Sequence, residues 1–298
     1  MQIGQFEISE PIPKLKNTVA FAMLKPWIDV GRVGSLVLEK LENHFEAKEL
    51  TRLSTPGTYF DFTRYRPRLV MSNKKRTLSV PNTIIRYAND DQNNRSLLFL
   101  HIREPHMAGE DYANTIADLL RYFDVKEYCR IGGMYDSVPH SRELIVTGTL
   151  TEHQYMLANG LITSRSSTYT GPTSIVNLVS EHMATKDCNV TSLMVHMPQY
   201  AKLEADQMGT SRLMECICTI HNISDALADN SLGESQYREI DKAVAGNPEI
   251  QLLIKQLEAY YDRNHDPKGK QFSAQEAKLS PEIESFLNEI DEQFTSKG

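Results

Sequence analysis

RSLLFLHIREPHMAGEDYANTIADLLRYFDVKEYCRIGG, at residues 95–133, is the stretch that decides the fold class. Its first nine residues contain the apolar run Leu97–Leu100 followed by Ile102, which is typical of a strand buried on both faces of a sheet. Apolar residues then recur at helical spacing over residues 110–123. A second short strand is predicted at residues 127–131 and ends at a glycine pair. A strand, a helix and another strand in this order predict an α/β fold.

The same alternation continues along the rest of the chain. We predict further strands at residues 17–24, 52–62, 68–71, 76–80, 143–150 and 189–196, and helices at 35–45, 172–183 and 203–223. Strands that alternate with helices predict a mostly parallel sheet with helices on both faces. Because residues 72–75 have the composition of a hairpin turn, we expect an antiparallel hairpin there, which makes the sheet mixed.

The chain changes character after residue 230. Residues 231–298 contain 13 acidic and 8 basic residues, so this part carries most of the net charge of -7. Two segments within it begin alike, as NPEI from Asn247 and as SPEI from Ser280. In each, a capping residue precedes a proline and a glutamate, which suit the first turn of a helix. We therefore predict an α/β core domain at 1–230 and an acidic helical C-terminal extension at 231–298.

Composition and charge exclude several classes of protein. A net charge of -7 disfavours nucleic-acid and anionic-membrane binding, and no apolar run is long enough to span a bilayer. The first seventeen residues lack the apolar core of a signal peptide, so we expect a cytoplasmic protein. The four cysteines contain no Cys-x-x-Cys motif, and Cys129 lies within a predicted buried strand. We expect reduced thiols, no metal site and, because nucleotide-binding glycine motifs are absent from the sequence, no cofactor.

Several short motifs follow one another in a recognisable order, namely PWIDVGRVGSL, IGGM, VPHSR, VTGT, SRSSTYTGPTSIV and SLMVHMPQY. In this order they resemble the proteasome assembly chaperone 2 family in its prokaryotic form, over about residues 17–223 and, through NPEIQLLIKQLE, into the tail. The resemblance implies a fold like that of purine nucleoside phosphorylases with a helical C-terminal extension. It also implies homo-oligomers, for which we expect a trimer.

The function implied by the resemblance is that of a scaffold or assembly protein that binds a protein partner, without enzymatic activity. Some archaeal relatives dock on the proteasome through a final hydrophobic-Tyr-any tripeptide. This sequence ends with Ser296-Lys297-Gly298, so we do not expect that docking mode.

The alternative is an enzyme or a small-molecule-binding protein, because polar residues follow several predicted strands. In α/β sheets ligands bind beyond the carboxyl ends of the strands. Glu104 and His196 each follow or end a predicted strand, and His140 lies in a loop after a third. These three residues form the candidate catalytic set, provided that the strand order brings them to one rim of the sheet.

The loop around His140 also contains the candidate ligand-binding residues. Gly132 and Gly133 lack side chains, so their N–H groups could approach an anion, or the pair could form a tight exit from the strand. Arg142 could clamp a carboxylate or a phosphate, or it could pair within its own loop. The glycine-rich residues 29–34 precede a helix and offer the same two interpretations, anion binding or close packing of helix on strand.

A basic segment surrounds the predicted hairpin. Its charged residues are Arg64, Arg66, Arg68, Lys74, Lys75 and Arg76. Such charges protect an exposed edge strand from pairing with another sheet. The second interpretation is that the hairpin meets an acidic surface of a neighbouring subunit, such as the acidic tail.

Overall fold

The computed structural model describes residues 1–72, 75–164, 171–184 and 187–264. The strands in these ranges are β1 (Gln2–Ile3), β2 (Phe6–Glu7), β3 (Thr18–Lys25), β4 (Lys48–Arg52), β5 (Arg68–Ser72), β6 (Lys75–Ser79), β7 (Ile84–Asp90), β8 (Arg95–Arg103), β9 (Val125–Asp136), β10 (Val146–Thr149), β11 (Thr163–Ser164) and β12 (Asn189–Pro198). The helices are α1 (Val33–His44), α2 (Gly109–Tyr122), α3 (Glu152–Ala158), α4 (Ile175–Met183), α5 (Gln207–His221), α6 (Ser231–Ala245) and α7 (Pro248–Asn264).

Eight of the strands form one mixed sheet in the order β11-β10-β12-β9-β3-β8-β7-β4. The four central strands, β12, β9, β3 and β8, run parallel to one another. β7 and β4 add antiparallel pairs at one edge, and β10 pairs antiparallel with β12 near the other. The predicted mixed α/β class is therefore confirmed. The hairpin of β5 and β6 does not contribute to this sheet, because it forms a separate two-stranded sheet.

β3 divides the interior into two apolar cores. Its sequence TVAFAMLK is buried along nearly its whole length, because a central parallel strand is covered on both faces. Ala20, Ala22 and Leu24 face the core beneath α2 and α4. The alternate residues, including Phe21 and Met23, face the core beneath α1 and α5. The predicted helical layers on both faces follow from this alternation.

The C-terminal helices pack as successive layers, α6 on α5 and α7 on α6. The side chain of Asn247 accepts hydrogen bonds from two N–H groups in the first turn of α7, as predicted for a capping residue. Leu253 and Leu257 of α7 are buried. The second predicted tail helix, from Ser280, lies outside the described residues. Among the residues that are described, no helix is long and apolar enough to cross a membrane.

Several elements differ from the sequence predictions. The strand predicted at residues 52–62 is wrong, because β4 ends at Arg52 and a 3-10 turn at Pro56–Thr58 follows. β7, which lies near the sheet edge and mixes buried with half-buried residues, was not predicted. Neither was α3, a seven-residue helix that begins with a capping box of Thr151 and Gln154.

Candidate functional site

The glycine pair lies inside β9, which continues to Asp136, so the predicted exit of the strand at this pair is wrong. The segment between β3 and α1 crosses the strand here, and the N–H of Gly133 donates to the carbonyl of Ile28 at 2.9 Å. A Cβ on Gly132 would lie 2.3 Å from that same carbonyl oxygen. Glycine is therefore required for close backbone approach, and the N–H of Gly133 is already engaged by the chain.

The glycine-rich start of α1 holds a carboxylate from its own chain. Asp29 accepts hydrogen bonds from the backbone N–H of Ser35, at 2.8 Å, and from the Ser35 hydroxyl. Lys25 lies 4.0 Å away from the same carboxylate. Burial is the largest cause that raises the pKa of Asp29 above its usual value. Asp29 thus occupies the position where the sequence analysis considered an external anion.

His140 connects the loop after β9 to α6. Its Nε2 lies 2.9 Å from Oδ1 of Asp241 on α6. Its Nδ1 and its backbone N–H both contact the hydroxyl of Tyr200. His140 is buried, and burial raises the pKa of Tyr200 above its usual value. Both ring nitrogens of the candidate general base are therefore engaged within the chain.

Arg142 connects the same loop to α7. Its Nε and Nη2 donate to the two carboxylate oxygens of Asp262 at 2.8 and 2.9 Å, and its Nη1 donates to Glu258 at 3.2 Å. The hydroxyl of Ser141 donates to the same oxygen of Glu258. The hydrogen bonds with Arg142 lower the pKa of Asp262 and raise that of Arg142. Glu258 is only 25 % exposed, because it lies against Arg142.

Glu104 joins β8 to α4. Its two carboxylate oxygens accept hydrogen bonds from the N–H of Ile175, the first residue of α4, at 3.1 and 3.3 Å. A negative charge is favourable at this end of a helix. Burial raises the pKa of Glu104 above its usual value. β9 and β3 lie between β8 and the strand that carries His196.

A carboxylate, an imidazole and a hydroxyl form a chain across three strands. Oδ2 of Asp136, at the end of β9, lies 2.7 Å from Nδ1 of His196 on β12. Nε2 of His196 lies 2.8 Å from Oγ1 of Thr147 on β10. A general base held in this way between an orienting carboxylate and a hydroxyl is the arrangement that activates hydroxyl nucleophiles. Asp136, His196 and Thr147 are called the relay below.

The relay includes two residues that the sequence analysis did not select. Asp136 lies four residues before His140, and Thr147 lies in the VTGT motif. Asp136 ends β9 and Thr147 lies in β10, and both strands are neighbours of the strand that carries His196. Polar residues in strands beside His196 were the signal by which the sequence could have identified the relay. Among the described residues, no hydrogen bond or ion pair joins Glu104, His140 and His196 to one another. That these three form one catalytic set stays a prediction.

The β5–β6 hairpin exposes an apolar face. The register pairs Leu69 with Leu78 and Met71 with Arg76, so these four side chains share one face of the two-stranded sheet. Leu69, Met71 and Leu78 are 64 %, 69 % and 62 % exposed. Large apolar side chains that are exposed together mark an interaction surface. These four residues are called the hairpin face below.

The model of one protein family, the PAC2 family, matches residues 23–244. The chain belongs to the PAC2 family. The match begins in β3 and ends in α6, so it includes the glycine pair, the loop with His140 and Arg142, the relay, the hairpin and the first tail helix. It confirms the family resemblance that the order of motifs predicts. No curated protein matches the sequence.

Solved structures of PAC2-like proteins share the fold. A protein of unknown function from Corynebacterium glutamicum is 21% identical, with a TM-score of 0.76 over 89% of this chain and 99% of its own. A proteasome-assembly chaperone homologue from Mycobacterium tuberculosis is 19% identical, with a TM-score of 0.68 over 79% and 99%. An archaeal proteasome activator from Pyrococcus furiosus is 14% identical, with a TM-score of 0.62 over 80% and 97%.

Proposed function

We propose that this PAC2 protein is a chaperone-like scaffold that acts by binding other proteins, without chemistry of its own. Family membership supports this function, since two structural neighbours are named for their relation to the proteasome. In this proposal the protein is a cytoplasmic homo-oligomer, a trimer, which binds a protein partner and neither nucleic acid nor a cofactor. Its core spans residues 1–230, and its helical extension spans 231–298.

The hairpin face is the observation that carries the proposal. The hairpin forms a two-stranded sheet separate from the main sheet, and every residue of β6 is exposed. Burial of an exposed Leu or Met side chain stabilises an interface by about 1.5–3 kcal/mol. An exposed hairpin with three such side chains on one face therefore suits association with a protein surface.

The partner that fits the hairpin face is a second copy of the chain. Arg68, Lys75 and Arg76 bring positive charge to the hairpin, whereas the chain as a whole has a net charge of -7. Opposite charges at the rim of an apolar contact speed association and fix its orientation. The acidic tail, residues 231–298, supplies the matching negative charge.

The positions of α6 and α7 also favour a scaffold over an enzyme. His140 and Arg142, which the sequence marks as candidate site residues, contact Asp241 and Asp262 of the tail. A ligand at either residue would have to displace a carboxylate of its own chain. The loop therefore attaches the extension to the core.

The mass of the purified protein in solution tests the proposed function. Sedimentation velocity over a series of concentrations is expected to show a single species with three times the chain mass of 33.9 kDa. A monomer at every concentration, together with failure to retain any protein from a lysate of its source cells, would contradict it.

A second candidate function rests on the relay. In an enzyme or small-molecule-binding protein with a strand-end site like that of nucleoside phosphorylases, His196 would take a proton from Thr147 or from a bound hydroxyl, and Asp136 would hold the imidazole in place. A thermal-shift series with nucleosides, phosphate and carboxylates tests it, because a ligand that binds only the native state raises the unfolding midpoint. A shift that is lost in Thr147→Val supports the enzyme, and no shift with any compound rejects it.

A further inference from the structure

A second cluster of reactive side chains lies at the other end of the parallel strands. Glu127 and Cys129 are two residues apart near the start of β9, so they point to the same face of the sheet. His221 is the last residue of α5, which covers that face. One ligand-type atom from each residue, a carboxylate oxygen, a thiol sulfur and an imidazole nitrogen, lies within 4.8 Å of the other two.

His221 is the member of this cluster that needs a partner. It is 4 % exposed, and its ring stands edge-on to Phe21 at a centroid distance of 4.9 Å. Among the residues that the structure describes, none forms a hydrogen bond with Nε2 of His221. The closest carboxylate oxygen, Oε1 of Glu127, lies 3.9 Å away, which is too far for a hydrogen bond. A buried polar atom left in this state is costly unless another group binds it.

The carboxylate of Glu127 is oriented by two other side chains. Its Oε1 accepts hydrogen bonds from Nε2 of Gln154 at 2.8 Å and from Oγ1 of Thr191 at 2.7 Å. Thr191 is also the register partner of Cys129 across β9 and β12. Hydrogen bonds of this kind hold metal-ligating carboxylates in position. Because Glu127 already accepts these two hydrogen bonds, it does not need a third one from His221.

We propose that Glu127, Cys129 and His221 bind one zinc ion, with the fourth coordination position left to water. Sulfur, imidazole nitrogen and carboxylate oxygen are the donors that zinc uses in proteins. Ligand atoms on a tetrahedral zinc ion lie about 3.3–3.7 Å apart, so the present cluster, whose ligand atoms lie within 4.8 Å of one another, has to contract by about 1.5 Å at most. The side chain of Glu127 is 12 % exposed, which provides a route from solvent.

No metal site was predicted from the sequence, because the spacing between the cysteines matches no metal-binding motif. The proposed ligands are a Glu-x-Cys pair on a strand and a histidine 92 positions later, which become neighbours only after α5 packs on the sheet. A bound ion would connect the start of β9 to the end of α5. It would therefore raise the free energy of unfolding, by an amount that grows with the logarithm of the ratio of free zinc to its dissociation constant.

Metal titration of the chelator-treated full chain tests the site. We expect saturation at one zinc per chain, and substitution with cobalt should give the near-ultraviolet absorption band of a cobalt–thiolate bond. Glu127→Gln, Cys129→Ala and His221→Gln should each weaken zinc binding at least tenfold. Cys218→Ala, which removes another buried thiol from α5, should leave affinity and the cobalt band unchanged.

Metal binding by wild-type protein tests the proposal even if a variant with a substitution in the core fails to fold. Absence of saturable zinc binding, or a cobalt complex without a thiolate band, would overturn the proposal. Equal affinity in wild-type protein and in Glu127→Gln, which changes the most exposed of the three ligands, would overturn it as well. None of these three results depends on the oligomeric state or on the hairpin face.

Discussion

Nε2 of His140 lies 2.9 Å from Oδ1 of Asp241, and this contact joins the loop after β9 to α6. Two residues later, Arg142 forms paired hydrogen bonds with Asp262 on α7. One short loop therefore anchors both C-terminal helices. Sequence reasoning alone selects the same loop as a ligand site, because residues suited to bind carboxylates are also suited to bind the carboxylates of a tail.

Removal of the Arg142 guanidinium is expected to loosen α7 while the core stays folded. Because the pair is largely exposed and screened by solvent, Arg142→Gln should weaken the docking of α7 only slightly. Amide hydrogens of α7 should then exchange about two- to fivefold faster. The control is Arg238→Gln on α6, whose side chain is 63 % exposed and 3.9 Å from Glu234. If the amide hydrogens of α7 exchange at the same rate in both variants, Arg142 does not hold the helix on the core.

Acid is expected to release the same helix. Because Arg142 lowers the pKa of Asp262 below its usual 3.8, the charge pair stabilises docking above that value and is lost as the pH falls through the lower folded value. Exchange protection of α7, corrected for intrinsic rates, should therefore decrease below about pH 3.8 before that of β3. The decrease in exchange protection of α7 should be smaller in Arg142→Gln. The same pH dependence of protection in that variant and in wild-type protein would reject this explanation.

Substitution of Gly132 is expected to destabilise the core. Because a Cβ there would lie 2.3 Å from the Ile28 carbonyl, Gly132→Ala should cost about 1–3 kcal/mol of unfolding free energy. Gly109→Ala is the control, since its Cβ would meet its nearest neighbour at 3.7 Å and its effect should stay within about 0.5 kcal/mol. Urea unfolding measures both. Wild-type stability in Gly132→Ala would contradict the structural role of the glycine pair.

Much of the central sheet could be predicted because its signals are local. β8 has the predicted bounds, since the apolar run Leu97–Leu100 followed by Ile102 identifies a strand with two buried faces. α2 lies within one residue of its prediction because its apolar residues keep helical spacing. β9 was predicted too short, because the carbonyl of Ile28 takes the space of a side chain at Gly132 and no local pattern reveals that contact.

The candidate site depends on long-range contacts, which explains the rest of the differences. Asp241 and Asp262 are about a hundred residues from the loop that they contact. These contacts could be identified only once α6 was placed on α5 and α7 on α6. The hairpin of β5 and β6 was predicted from its turn, but its separation from the main sheet was not, because strand pairing outside a hairpin leaves no local signal.

The most direct test of the central claim is the dissociation constant of self-association, measured by sedimentation for wild-type protein, Leu69→Glu and Leu78→Glu. Met156→Glu is the matched control, because Met156 is 71 % exposed on α3, away from the hairpin. Charge on the hairpin face should raise the dissociation constant at least tenfold, about 1.4 kcal/mol, and the control should not change it. A wild-type monomer, or an oligomer that both hairpin variants leave intact, would contradict the claim that this face assembles the protein.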